Sequence, residues 1–134
     1  MEIREYKKYD EAEILRLYEA VGWTAYTENP AALRQGYDHS LLTLAAYENG
    51  ELLGVVRVVG DGCTVILIQD LLVFPDWQRK GVGTALVRAV LQRYSSVRQI
   101  ELMTDDTPET VAFYRSLGFT ELSQLGCRGF MKCG

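Results

Sequence analysis

The chain has 134 residues, with 14 Lys and Arg against 18 Asp and Glu, for a formal charge of −4. That length suits one domain spanning residues 1–134, with a core large enough to do without staples. The acidic balance argues against a broad nucleic-acid-binding face, and 48% hydrophobic with 24% charged residues is an ordinary globular composition.

Ile3–Tyr6 reads as an opening strand. Asp10, with Glu13 three residues on, is a capping box, and Ile14, Leu17, Tyr18 and Val21 then mark one apolar helical face that ends at Gly22. Trp23–Pro30 is aromatic and irregular, and Pro30 opens a short second helix over Ala31–His39. Leu41–Tyr47 and Leu52–Val59 are strands around Asn49-Gly50, a hairpin signal. Cys63–Phe74 is a long, β-branched apolar run, expected to be a central strand covered on both faces. A loop over Pro75–Gly81 leads into a helix over Val82–Tyr94, and Arg98–Met103 is a further strand. Thr107 caps a helix that begins at Pro108 and stops at Gly118; Phe119–Leu122 and Arg128–Lys132 are expected as closing strands. The order β-α-α-β-β-β-α-β-α-β-β implies an α/β (α+β) fold, with helices on both faces of a mixed sheet of six or seven strands.

Cys63, Cys127 and Cys133 are too few and scattered for a disulfide framework. His39 is the only histidine, so no metal-ligand spacing exists and a Ser-His-Asp triad has one candidate. The first residues lack the apolar core of a signal peptide, and no stretch approaches the ~18 apolar residues of a membrane span. A reducing cytoplasm and no membrane partner are the expectation.

The chemistry concentrates at Gln78–Thr84, Gln-Arg-Lys-Gly-Val-Gly-Thr. A buried strand feeds a loop with two glycines, and a helix starts at once. Glycines let successive N–H groups converge on one point, and a helix N-terminus adds unpaired N–H groups and partial positive charge. Arg79 and Lys80 add a basic pair, so the turn suits a diphosphate; a solvated Gly-rich connection is the plainer alternative. The Gly-Lys-Ser/Thr of a P-loop is absent. A nicotinamide-binding turn wants glycine where Leu86 stands and a first glycine directly after the strand.

Gln78-Arg79-Lys80-Gly81-Val82-Gly83 matches the acetyl-CoA loop Gln/Arg-x-x-Gly-x-Gly/Ala of the GCN5-related N-acetyltransferases, which the chain resembles along its whole length. Asp70–Pro75 looks like that family's fourth strand and its exit, and Ala112–Phe119 like its late helix and turn. Glu109 stands where many members carry an Asn that contacts pantetheine. Val21-Gly22-Trp23, Gln69–Val73 and Gly126–Phe130 resemble a bacterial and plant branch that includes plant serotonin N-acetyltransferases.

The resemblance implies acetyl-CoA as co-substrate, no metal, and a small-molecule amine as acceptor, either arylalkylamine or polyamine-like. Backbone groups of Leu71, Leu72 and Val73 would hold the pantetheine arm, with an N–H of Leu72 or Val73 polarising the thioester. Gln78, Arg79, Lys80, Gly81, Val82, Gly83 and Thr84 would cradle the pyrophosphate, and Phe113 would line the cofactor. Tyr114 would be the general acid; as spacing alone has it, it is a core aromatic on an amphipathic helix. Asp70 is the candidate base through water, because an acid inside an apolar strand is costly to bury; a carboxylate hydrogen-bonded to neighbouring backbone is the other reading. Trp23 and Tyr26 fall where the family builds its acceptor pocket, and are otherwise packing residues. Asp105, with Asp106, would attract a cationic amine or serve as a loop and cap residue. The family also implies a homodimer. A non-catalytic acetyl-CoA-binding module and a peptide or protein N-acetyltransferase are the competing functions.

Overall fold

Asp10 starts the first helix because its carboxylate accepts the Glu13 N–H at 3.1 Å. In the computed structural model, which describes residues 1–134, helix α1 (Glu11–Ala20) buries Ile14, Leu17 and Tyr18. The aromatic stretch that follows holds a single helical turn, α2 (Thr24–Thr27), where the sequence suggested only irregular chain. Asn29 then caps α3 (Pro30–Asp38) by accepting the Ala32 N–H at 3.2 Å.

Five strands form one sheet: β1 (Glu2–Glu5), β2 (Leu42–Glu48), β3 (Glu51–Gly60), β4 (Val65–Val73) and β5 (Gln99–Leu102). They lie in sequence order, antiparallel except for the β4–β5 pair, whose parallel direction follows from the crossover helix α4 (Val82–Arg93). Asn49 and Gly50, both at positive φ, make the hairpin turn between β2 and β3.

The chain divides into two compact units, Met1–Met103 and Thr104–Gly134. In the first, α1 and α3 bring Ile14, Leu17, Tyr18, Leu33 and Tyr37 onto Ala45, Leu52, Val55 and Leu72 of the sheet. Leu44 and Val56 alternate with those strand positions, so they point to the other face, while α4 packs against β2, β3 and β4 with Leu86, Val87 and Val90 buried. The second unit holds α5 (Pro108–Ser116), capped by the Thr107 hydroxyl on the Thr110 N–H, and a 3-10 turn at Leu122–Leu125.

Four expectations are corrected. The sheet has five strands rather than six or seven. Phe119–Leu122 and Arg128–Lys132 do not pair: the Glu121 carbonyl takes the Gln124 N–H and the Leu122 carbonyl takes that of Cys127, so local turns consume the groups a ladder would need. The third strand of the run begins at Val65, because Asp61 Oδ1 gathers the N–H groups of Cys63, Thr64 and Val65 into a turn. The strand covered on both faces is β3, buried from Leu52 through Val58, whereas β4 alternates buried and half-buried residues.

Burial pushes the phenols of Tyr6, Tyr18 and Tyr37 well above their ordinary range, with Glu13 beside Tyr6 and Asp70 beside the other two adding to the rise. Above about pH 10 the unfolded chain releases these protons while the folded chain keeps them, so stability falls as pH rises. Thermal unfolding should be nearly constant from neutral pH to about pH 10 and drop steeply beyond it; a midpoint that holds through pH 11 would contradict this burial.

Candidate functional site

Two charged residues stand opposite each other in adjacent apolar strands. Arg57 of β3 and Asp70 of β4 are register partners, and Arg57 Nε donates to Asp70 Oδ2 at 2.7 Å. Asp70 is 1% exposed and Arg57 7%. From α1, the Tyr18 hydroxyl donates to the same Oδ2 at 2.8 Å and shares a 2.9 Å hydrogen bond with the Tyr37 hydroxyl of α3. Arg57 also donates to Ser40 Oγ at 3.3 Å, and its guanidinium lies 5.3 Å from the Tyr37 ring centroid. Burial lowers the Arg57 pKa and Asp70 raises it, and the net direction is upward. Asp70 Oδ1 is buried with no partner.

Immediately beyond this pair the ladder is irregular. Arg57 pairs with Asp70 but Val58 with Ile68, which leaves Gln69 as a bulged residue. β5 pairs β4 only from Val65 to Ile68. From Gln69 to Val73, therefore, the β5-facing edge of β4 has no strand partner; Leu71 and Val73 turn their backbone groups toward it, while Leu72, in step with the bonded Phe74–Leu53 position, turns its own toward β3. On its other side β4 presses closely on Gly54: a Cβ there would come within 2.5 Å of the Leu72 carbonyl oxygen and 3.1 Å of Val73 Cα. Only glycine lets β3 approach this closely.

The exit from β4 is held by Gln78, whose Nε2 donates to the Val73 carbonyl at 3.0 Å. A 3-10 turn at Pro75–Trp77 intervenes, and Lys80 Nζ lies 5.2 Å over the Trp77 ring. Arg79 takes φ 62° and Gly81 φ 88°, a left-handed pair of turns that delivers the chain into α4 at Val82. No side chain caps α4, so its first N–H groups, at Val82, Gly83 and Thr84, are free of side-chain partners. An uncapped helix N-terminus behind Arg79 and Lys80 fits an anion such as a diphosphate, and the free edge of β4 fits an extended amide-bearing arm. Both features fit acetyl-CoA.

Trp23 and Tyr26 are half-buried, with ring centroids 6.0 Å apart. Both pack on Tyr18, at 6.1 Å and 5.2 Å. Tyr18 thus links this aromatic pair to Asp70. Sequence reasoning missed Tyr18, Tyr37 and Arg57 as site residues. The signal for Arg57 was present: a lone base in an apolar strand, one hairpin away from a lone acid in the next. Tyr18 and Tyr37 carried none, since an aromatic on an apolar helical face reads as core.

In the second unit, the Phe113 and Tyr114 rings meet edge to face at 4.9 Å, and Tyr114 meets Phe119 at 5.7 Å. Burial pushes the Tyr114 phenol up to about 12. The Asp105 carbonyl accepts from the Thr110 hydroxyl and the Thr107 N–H, while its side chain is exposed. Glu109 is exposed in the first turn of α5. No group of His, Cys, Asp and Glu is arranged to hold a metal ion, and no helix is long and apolar enough to cross a membrane.

Residues 7–132 match the family model described as an acetyltransferase (GNAT) domain, a span that runs through both units. Among solved structures, a GNAT-family acetyltransferase from Streptococcus pneumoniae TIGR4 superposes with TM-score 0.89 and 35% identity, covering 99% of this chain and 97% of that one. A soybean (Glycine max) protein named histone acetyltransferase TAP1 is 33% identical over 90% of this chain. An uncharacterized N-acetyltransferase, ycf52, from Gracilaria tenuistipitata var. liui is 30% identical over 78% of it. The chain spans 55% and 58% of the lengths of these two relatives.

Removing one partner of a buried ion pair strands the other charge, at a cost of about 3–5 kcal/mol, whereas replacing both by apolar residues is often near neutral. Arg57→Met and Asp70→Leu should each lower stability by about that amount, and the double variant should be more stable than either single. Urea unfolding of the three variants checks this; additive losses would show that the pair is not coupled.

Proposed function

The chain belongs to the GNAT acetyltransferase family, and from that premise we propose that it moves the acetyl group of acetyl-CoA to a primary amine on a small arylalkylamine or polyamine-like molecule. The observation that carries the reading is the uncapped N-terminus of α4, set behind Arg79-Lys80-Gly81 at the exit of a strand with a free edge. In this proposal residues 1–134 act as one N-acetyltransferase domain. Gln78, Arg79, Lys80, Gly81, Val82, Gly83 and Thr84 take the pyrophosphate on backbone N–H groups and two cations. Leu71, Leu72 and Val73 are the residues proposed to hold the pantetheine amides, and an N–H of Leu72 or Val73 is the proposed group that polarises the thioester oxygen. Phe113 gives the cofactor an apolar wall.

Bound acetyl-CoA supplies an activated acyl group with a thiol leaving group. An alkylamine, with a pKa near the ~10.4 of Lys, is mostly protonated near neutral pH and must lose a proton before it attacks. Asp70 is the proposed acceptor of that proton, directly or through a water, at its unpartnered Oδ1. Tyr114 is the proposed acid toward the departing sulfur. Its phenol, raised to about 12 by burial, keeps its proton throughout the working pH range. Trp23 and Tyr26 offer half-buried aromatic surface to the acceptor, and Asp105 an exposed negative charge. The free, exposed thiols of Cys63, Cys127 and Cys133 suit a reducing compartment such as the cytoplasm. Exposed Leu125, Phe130 and Met131 support a homodimer that covers them. The name of the soybean relative supports a second reading, in which the acceptor is a peptide or protein amine.

An assay with acetyl-CoA and a panel of small amines, following free thiol release, should show turnover, while peptides should be poor acceptors. The reverse preference would favour the second reading, and acetyl-CoA binding without turnover would make the chain a binding module. Tyr114→Phe should lower kcat about 100-fold with no change in the thermal stabilisation given by acetyl-CoA. Because the Tyr114 proton is held up to about 12, kcat for an acceptor already neutral should not fall between neutral pH and pH 10; a falling limb near neutrality would assign the acid elsewhere.

A further inference from the structure

The Asp70 carboxylate is occupied unevenly. Oδ2 accepts two hydrogen bonds, from Tyr18 at 2.8 Å and Arg57 at 2.7 Å, while Oδ1 is buried and accepts none. Folds rarely leave a buried carboxylate oxygen bare, because its desolvation is then uncompensated. The two donors come from different elements, Tyr18 from α1 and Arg57 from the neighbouring strand β3, yet both address the same oxygen. Together they fix the plane of the carboxyl group and leave one set of lone pairs open.

Tyr18 has a second attachment. Its ring packs on Trp23 and Tyr26, and these are the half-exposed members of the cluster. A molecule held at that pair is therefore one aromatic residue away from Asp70. The hydroxyl of Tyr18 is itself committed, since it donates to Oδ2 and shares a hydrogen bond with Tyr37, so it has no free role in proton transfer.

We propose that Tyr18, with Arg57, is a positioning residue for deprotonation of the acceptor amine: it locks Asp70 so that Oδ1 alone faces the acceptor N–H. This rests on the acetyl-transfer reading and on Asp70 as the proton acceptor. The step is a simple exchange. An N–H bond of the alkylammonium breaks, its electron pair stays on nitrogen, and the proton adds to Oδ1, directly or through one water. The carboxylate becomes a carboxylic acid, and Arg57 keeps its charge throughout. An acceptor already neutral near pH 7, such as an alkoxyamine, is spared this first transfer; the one N–H proton that any amine sheds as the amide forms ends on the departing thiol.

That difference supplies the test. Tyr18→Phe keeps the ring and its contacts with Trp23 and Tyr26 but removes one of the two donors that fix the carboxylate, leaving Arg57 alone to hold it. Turnover of an alkylamine should fall at least ~10-fold, and turnover of an alkoxyamine should stay within about twofold, with KM for acetyl-CoA unchanged. Asp70→Asn, the second variant, should show the same selective loss, and thermal unfolding of each reports that it is folded. Equal losses for both acceptors in Tyr18→Phe, or no loss at all, would overturn the positioning role even if Asp70→Asn is selective. Equal losses in Asp70→Asn would remove Asp70 as the proton acceptor, and the inference with it. A wild-type chain that is stabilised by acetyl-CoA yet turns over neither acceptor would instead defeat the acetyl-transfer reading on which this stands.

Discussion

The pairing of Arg57 with Asp70 is the constraint around which the first unit is arranged. Two charges in facing β-positions can be buried only if they meet with good geometry and find further hydrogen bonds. Register decides whether they meet. A slip of one residue between β3 and β4 would turn Asp70 to the opposite face, away from Tyr18, and leave Arg57 unpaired. Coulomb attraction and burial thus act together as a register lock. Tyr18 and Tyr37 extend the lock to α1 and α3, which must sit where their hydroxyls can reach.

The same register places the bulge. With Arg57 held on Asp70, the step to Val58 opposite Ile68 expels Gln69 from the ladder, just where β5 stops pairing. The strand is then paired on both sides from Val65 to Ile68 and on one side only from Gln69 to Val73, where Asp70 and Leu72 are still buried. Gly54 permits β3 to keep the free portion in place from the other side. Gln78 closes the exit by bonding the Val73 carbonyl, a local role that complements the one expected for it at the phosphate loop. Rigidity near the loop comes from backbone packing, which leaves the N-terminus of α4 without a side-chain cap.

Part of this was legible in the residue order. Capping residues, apolar periodicity and the Asn49-Gly50 turn mark α1, α3, β2 and β3 to within a residue or two, because each is a local preference. The turn at Gln78–Thr84 was legible for the same reason: glycines, a basic pair and a helix start are contiguous. The closing strands were misread because β propensity at Phe119–Leu122 and Arg128–Lys132 says nothing about whether a partner edge is available. The second helical turn, Thr24–Thr27, was too short for any periodicity to register.

The sequence by itself determined the order of the main elements from β1 to α5, the glycine-rich entry to α4 and the family resemblance that goes with it, since all of these depend on residues adjacent in the chain. Only the tertiary structure decided what Asp70 touches. Its partners lie 13 and 52 residues away, on a neighbouring strand and on a helix across the sheet. Burial of a charge is affordable only through such distant partners, and no local pattern records which they are. The oxygen left open at Asp70 is likewise a property of three side chains converging in space, and it became visible only once they had.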